Sequence, residues 1–222
     1  YWRFEGGDGI AENIAPVGGK QHGFEGSAVG AVTFGQPGPR PGDYPDFRSD
    51  NKAVRFDGKS GYLRIEDIAG DAGKDSPLKF RKGDTITVEA WINLAAIGDQ
   101  QQIYIVGKGR TDASGPKATN QNWSLRMRGV DGAAGISFLF RGERNRPDKD
   151  AESFRDWHRW TSDALIVPGS GARNWHHVAV SYTFGKGDSI RGYIDGQPVK
   201  GAWDMGGVTD AGPVVDDDAV WI

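Results

Sequence analysis

Apolar and polar positions alternate with a two-residue period through most of the regular stretches of this chain. The longest runs from Trp175 to Val199, WHHVAVSYTFGKGDSIRGYIDGQPV. Val178, Val180 and Tyr182 fall on one face and His177, Ala179, Ser181 and Thr183 on the other, which is the pattern of a half-buried β-strand. Gly185-Lys186-Gly187-Asp188 interrupts it, Ser189 to Ile194 resumes it, and Asp195-Gly196 starts another tight turn, because Gly takes positive φ at little steric cost. The segment predicts a meander of three strands. Thr85 to Asn93, TITVEAWIN, alternates most clearly. Ile86, Val88, Ala90 and Ile92 form its core face, and Thr87, Glu89, Trp91 and Asn93 the other.

The remaining pattern is also strand and turn. Tyr1–Phe4 predicts a short strand before Gly6-Gly7-Asp8-Gly9, and Ala28–Phe34 a strand inside the Gly/Pro-rich stretch Ala15–Asp50. Pro37, Pro39, Pro41 and Pro45 deny the segment after it a ladder role, since proline has no N–H to donate. Lys52–Ile65 predicts a hairpin turning at Asp57-Gly58-Lys59-Ser60-Gly61. Gln102–Gly107, Trp123–Arg128, Gly135–Arg141 and Trp157–Trp160 predict further strands, and Ala219–Ile222 the start of a last one. Asp67–Lys82, Arg110–Asn122, the charged Glu143–Asp156 and Ala202–Asp218 are expected as loops. Roughly ten to twelve short strands and no helical period predict an all-β, two-sheet antiparallel β-sandwich, taken as one domain over residues 1–222.

Composition narrows the function classes. A chain of 222 residues can bury a sizeable core. Its 34 glycines and 11 prolines have no collagen period and mark turns. A net charge of −3 leaves no nucleic-acid footprint. No apolar run approaches the ~20 residues that span a bilayer, so no membrane insertion is expected. The absence of cysteine excludes disulfides and thiolate metal sites. Eight tryptophans are more than one core of this size requires, so some are candidate ligand platforms. A start at Tyr1 and an end at Val220-Trp221-Ile222 read as a fragment of a longer protein, its last strand cut short.

WHHVAVSY, a short loop and then GYIDGQPV resemble the signature hairpin of laminin-G-like, concanavalin-A-like lectin/glucanase jelly rolls. YWRF, AVRFDG, TVEAWI and VWI match in order along nearly the whole chain. VGKGRT, HRWTSD, DSIRGYIDG and WDMGG are similar to the module embedded in planctomycete multidomain proteins that contain cytochrome c. The resemblance implies a jelly roll in an exported parent, periplasmic or at the cell surface, with a polysaccharide-related role.

Three kinds of site were considered. Retaining glycoside hydrolysis needs two carboxylates ~5 Å apart. TITVEAWIN carries Glu89 alone, Asp195 sits at a turn, and no G-x-S-x-G is present, so no enzyme is expected. For metal, the resemblance to calcium-binding relatives such as pentraxins implies an acid/amide pair in the loop entering Trp123–Arg128. Asp112, Asn120 and Asn122, completed by main-chain carbonyls, are the expected calcium ligands; their hard oxygens argue against zinc or copper. Asp216-Asp217-Asp218 is a second acidic cluster, more readily read as solvated loop. For sugar, Trp91 on a polar face beside Glu89, and Trp157 and Trp160 flanking His158 and Arg159, are candidate stacking platforms. Trp203 beside Asp204 is another. Arg126, Arg128 and His177 would favour an anionic polysaccharide if they shared that surface. The expected function is a non-catalytic carbohydrate-binding module. The alternative is a structural or docking domain whose exposed tryptophans bury against flanking domains of the parent protein.

Overall fold

The computed structural model describes residues 1–7, 9–14, 23–68, 75–110, 120–143, 156–169 and 174–222. Its strands begin with β1 (Trp2–Arg3), β2 (Ile10–Asn13), β3 (Gly26–Val29), β4 (Val32–Pro37), β5 (Lys52–Phe56) and β6 (Tyr62–Ile65). They continue with β7 (Thr85–Asn93), β8 (Gln102–Gly109), β9 (Gln121–Val130), β10 (Ala133–Arg141) and β11 (Trp157–Ile166). The last are β12 (Trp175–Thr183), β13 (Arg191–Ile194), β14 (Gln197–Val199), β15 (Gly201–Met205) and β16 (Val220–Trp221). Every ladder recorded between described strands is antiparallel, and the fold is all-β. The chain forms two compact units, Tyr1–Lys79 with Asp217–Ile222, and Phe80–Asp216.

In the first unit the strands run in the order β1-β2-β3-β6-β16, with β4 paired to β5 separately. Lys52–Ile65 is therefore not the hairpin its alternation suggests. The residues of β5 pair with β4 and those of β6 with β3, so two long chain segments run side by side and bend together. The bend is where Gly30 and Gly61 lie: a Cβ on Gly30 would stand 2.2 Å from the Ser60 carbonyl oxygen, and one on Gly61 2.2 Å from that of Ala31. Only glycine permits that approach. The expected turn at Asp57 is present. Its carboxylate accepts the N–H groups of Lys59, Ser60 and Gly61 at 2.8–3.0 Å, which holds its pKa far below the ordinary carboxylate range. Across β6 and β16, Tyr62 stacks on Trp221 with ring centroids 4.1 Å apart.

The second unit is a sandwich of two sheets, β8-β9-β10-β11-β15 and β14-β13-β12-β7. The alternation of β7 and β12 holds as read. Val178, Val180 and Tyr182 are fully buried while Glu89 and Trp91 are exposed. Residues 189–199 form the rest of the meander. Its last turn has φ of 51° at Asp195 and 75° at Gly196, the two positive values a type I′ hairpin requires. The inner faces meet in an aromatic cluster. Phe138 and Phe140 from β10 each lie 5.6 Å from Tyr182 of β12, and Phe184 and Trp203 close the ends at 5.3 and 5.5 Å from Tyr182. Each such side chain contributes roughly 1.5–3 kcal/mol on leaving water.

Ala202–Asp218 was expected as loop, yet its beginning forms β15, which pairs with β11. Gly201 hides that strand in the sequence. It is there because a Cβ would lie 2.3 Å from the Thr161 carbonyl oxygen and 2.4 Å from the Trp160 ring. Most of the expected loops Arg110–Asn122 and Glu143–Asp156 lies outside the described residues.

Candidate functional site

The outer face of β8-β9-β10-β11-β15 is polar and rich in arginine. Register sets its rows. Tyr104, Arg126, Ser137 and Thr161 are successive cross-strand neighbours, as are Gly107, Ser124, Leu139 and Arg159. Arg141 pairs with Trp157 beyond them, and Arg128 with Gln102 on the other side. Two bulges complete the face. One inserts Ile105 between Tyr104 and Val106, so that Tyr104 faces out while Val106 faces in. The other breaks the register between Arg159 and Trp160 against β15 and turns Asp204 outward.

Asp204 is held by three groups. Arg159 Nε lies 2.7 Å from one carboxylate oxygen, and Arg128 Nη1 and Thr161 Oγ1 lie 3.1 Å from the other. One carboxylate is thus divided between two guanidiniums. Arg128 also donates to Gln100 Oε1 at 2.6 Å. Trp157 has two guanidiniums near its ring, Arg110 at 5.4 Å and Arg141 at 6.0 Å from the centroid, an approach the negative ring face favours.

Arg126 sits centrally and is only 5% exposed. Its guanidinium lies 5.3 Å from the Tyr104 ring, and its buried Nε finds no acceptor among the described residues. Burial pushes its pKa below the ordinary arginine value. Tyr104 works against that shift, and the nearby cations Arg159 and Arg110 add to it. The Tyr104 hydroxyl is oriented in turn. Gln121 Nε2 donates to the carbonyls of Lys108 and Trp123 at 2.7 and 3.1 Å, so Gln121 Oε1 is left to accept from Tyr104.

The residues expected to bind ligand fall into three places. Arg126, Arg128 and Trp157 share the outer face just described. Trp91, Glu89 and His177 form a separate group on the outer face of β7 and β12. There the Trp91 ring, 38% exposed, lies 5.4 Å from His177, and His177 Nε2 lies 3.5 Å from Glu89. His177 therefore does not join the two arginines. Trp160 is corrected outright. It is 3% exposed and points between the sheets, because it follows Trp157 by three residues and an odd separation on a strand reverses the face. His158, also inward, stacks on Phe140 at 5.2 Å, and its Nδ1 lies 3.0 Å from the Gly207 carbonyl oxygen. Tyr104, Arg141 and Arg110 were missed. The shared parity of Arg126 and Arg141 on adjacent strands was legible once those strands were paired, whereas the bulge concealed Tyr104.

Of the expected calcium ligands, Asp112 lies outside the described residues. Asn120 donates to Asp216 at 2.6 Å, and its Oδ1 lies 3.5 Å from Arg141 Nη1. Asn122 donates to the Val214 carbonyl at 2.8 Å, and its buried Oδ1 has no hydrogen-bond partner among the described residues. Calcium takes six to eight oxygens. The described residues give one carboxylate, already bonded, beside a guanidinium; by themselves they do not fit the ion. Among the described residues there is no group of three or more His, Cys, Asp or Glu that could hold a metal, and no helix is long and apolar enough to cross a membrane.

Residues 57–216 match the laminin G-type model of the concanavalin A-like lectin/glucanases superfamily. No curated protein and no solved structure gives a match to the chain.

Proposed function

This chain belongs to the concanavalin A-like lectin/glucanase superfamily, and on that premise we propose that it is a non-catalytic polysaccharide-binding module. The ligand surface is the outer face of β8-β9-β10-β11-β15. The observation that carries this reading is the arrangement around Trp157, an aromatic ring with the guanidiniums of Arg110 and Arg141 within 6.0 Å of its centroid on a face of polar side chains. A flat ring stacks on sugar C–H groups, and the guanidinium forks reach hydroxyls and acidic substituents. A non-catalytic role is supported by the carboxylates. Glu89 and Asp204 lie on different sheets; Glu89 lies 3.5 Å from the His177 imidazole and Asp204 is shared by Arg128 and Arg159, rather than either facing a second acid.

Affinity electrophoresis through gels holding neutral, sulfated and uronic-acid polysaccharides tests the reading. Retardation with a Kd below about 1 mM, ~4 kcal/mol of binding, weakened by Trp157→Ala and unaffected by Trp91→Ala, is the expected outcome. Loss on Trp91→Ala alone would move the ligand to the β7/β12 face. Silence with every polymer would favour the docking-domain alternative. Calcium stays in the proposal through Asp112. A melting midpoint lowered by EDTA supports an ion at that loop, and an unchanged midpoint removes it.

A further inference from the structure

We infer that Arg126 is the centre of an anion-binding subsite that takes one oxyanion of a charged polysaccharide, a sulfate ester or a uronate carboxylate. The inference rests on the polysaccharide reading above and names the class of polymer. Its basis is a charge imbalance at one place. A buried ion normally has a partner, because an isolated charge out of water is costly. Arg126 is nearly enclosed, and among the described residues its Nε has no acceptor and no carboxylate pairs with it. The carboxylate of Asp204, on the same face, is already divided between Arg128 and Arg159. The other charged groups bearing on Arg126 are Arg159 and Arg110, of the same sign. What faces it is the Tyr104 ring, 40% exposed and steered by Gln121.

A structural arginine would be expected to bond to carbonyls or an acid. Arg126 instead hydrogen-bonds the Tyr104 side chain, while its buried Nε finds no acceptor among the described residues, and an incoming oxyanion supplies the missing acceptor and the missing charge together. The guanidinium fork matches the two oxygens of a carboxylate or a sulfate. Sulfate and uronate share this chemistry and are told apart by the polymer used.

Dextran sulfate, polygalacturonate and neutral dextran are titrated against the wild-type chain, Arg126→Met, and Lys59→Gln, which removes an equal charge at an exposed turn. Expected is at least tenfold weaker binding of one polyanion by Arg126→Met, less than twofold loss by Lys59→Gln, and a melting midpoint of Arg126→Met equal to or above wild type. Which polyanion responds identifies the group. A lowered midpoint with polyanion binding intact would make Arg126 structural and overturn the inference. So would equal losses in the two variants, which mark diffuse charge. Equal wild-type affinity for dextran and both polyanions would overturn it too, while leaving the polysaccharide reading in place. A second measurement needs no variant: the Arg126 Nε–H resonance is followed during titration with inorganic sulfate. A saturable shift with no polymer bound keeps the anion site and removes the polysaccharide reading. No shift and no polymer binding removes both.

Discussion

Trp160 and Gly192 meet across the two sheets of the Phe80–Asp216 unit: a Cβ added to Gly192 would lie 2.5 Å from Trp160 Cη2. Gly192 is thus required by a neighbouring ring rather than by its backbone angles. Gly192→Ala is expected to destabilise the unit by about 1–3 kcal/mol through overpacking. Trp160→Ala should cost about 3–5 kcal/mol through a cavity. The double variant should lose less than the sum, since the methyl enters the space the ring vacates. Urea denaturation of the four proteins measures the coupling, and strict additivity would contradict the contact.

Asp204 lies at the other extreme, polar and shared. Asp204→Asn leaves Arg128 and Arg159 without their common carboxylate. A stability loss of about 1–3 kcal/mol is expected from the two under-satisfied guanidiniums. Binding of a polyanion should strengthen, because the face gains a net positive charge. Denaturation and affinity measurements on this one variant should move in opposite directions.

Two groups predict separate pH effects. Burial holds the His158 imidazole below the ordinary value of 6.5, while its Gly207 contact and the nearby Asp156 oppose the shift. The unfolded chain therefore takes up this proton before the folded one does. Stability from His158 is full above about pH 6.5 and declines as pH falls toward its lowered folded value. His158→Phe, which retains stacking on Phe140, should flatten that window of a midpoint-against-pH curve. Asp57 acts further down. Its depressed carboxyl contributes stability present above the ordinary value of 3.8 and lost on stronger acidification, a loss that Asp57→Asn should reduce.

No turnover is expected on soluble β-glucans. Glu89 points from β7 toward His177, and glycoside hydrolysis requires a second carboxylate at a set distance. Reducing-end assays of wild type and Glu89→Gln should both read as buffer. Activity that disappeared in the variant would overturn the binding-module reading.

The strands of the meander, the two faces of β7 and β12, the type I′ turn at Asp195-Gly196 and the exposure of Trp91 were all legible in the sequence. Each follows from the two-residue alternation of side chains or from a turn residue with its own conformational preference, both local properties. The order of the strand peptides also carried the family. The arginine face was only half legible. Alternation put Arg126 and Arg128 on one side of β9 but named no neighbours for them. WHRW obliged its two tryptophans to opposite faces and did not say which was buried; Gly192, more than thirty positions away, made the space for Trp160. The bulge at Ile105 turned Tyr104 toward Arg126, and the irregularity opposite Arg159 brought Asp204 to the same surface. Bent pairing at Gly30 and Gly61 undid the expected hairpin. These features were decided in the tertiary structure because register and bulges arise between strands far apart in the chain, whereas alternation records only that each strand has two unlike sides.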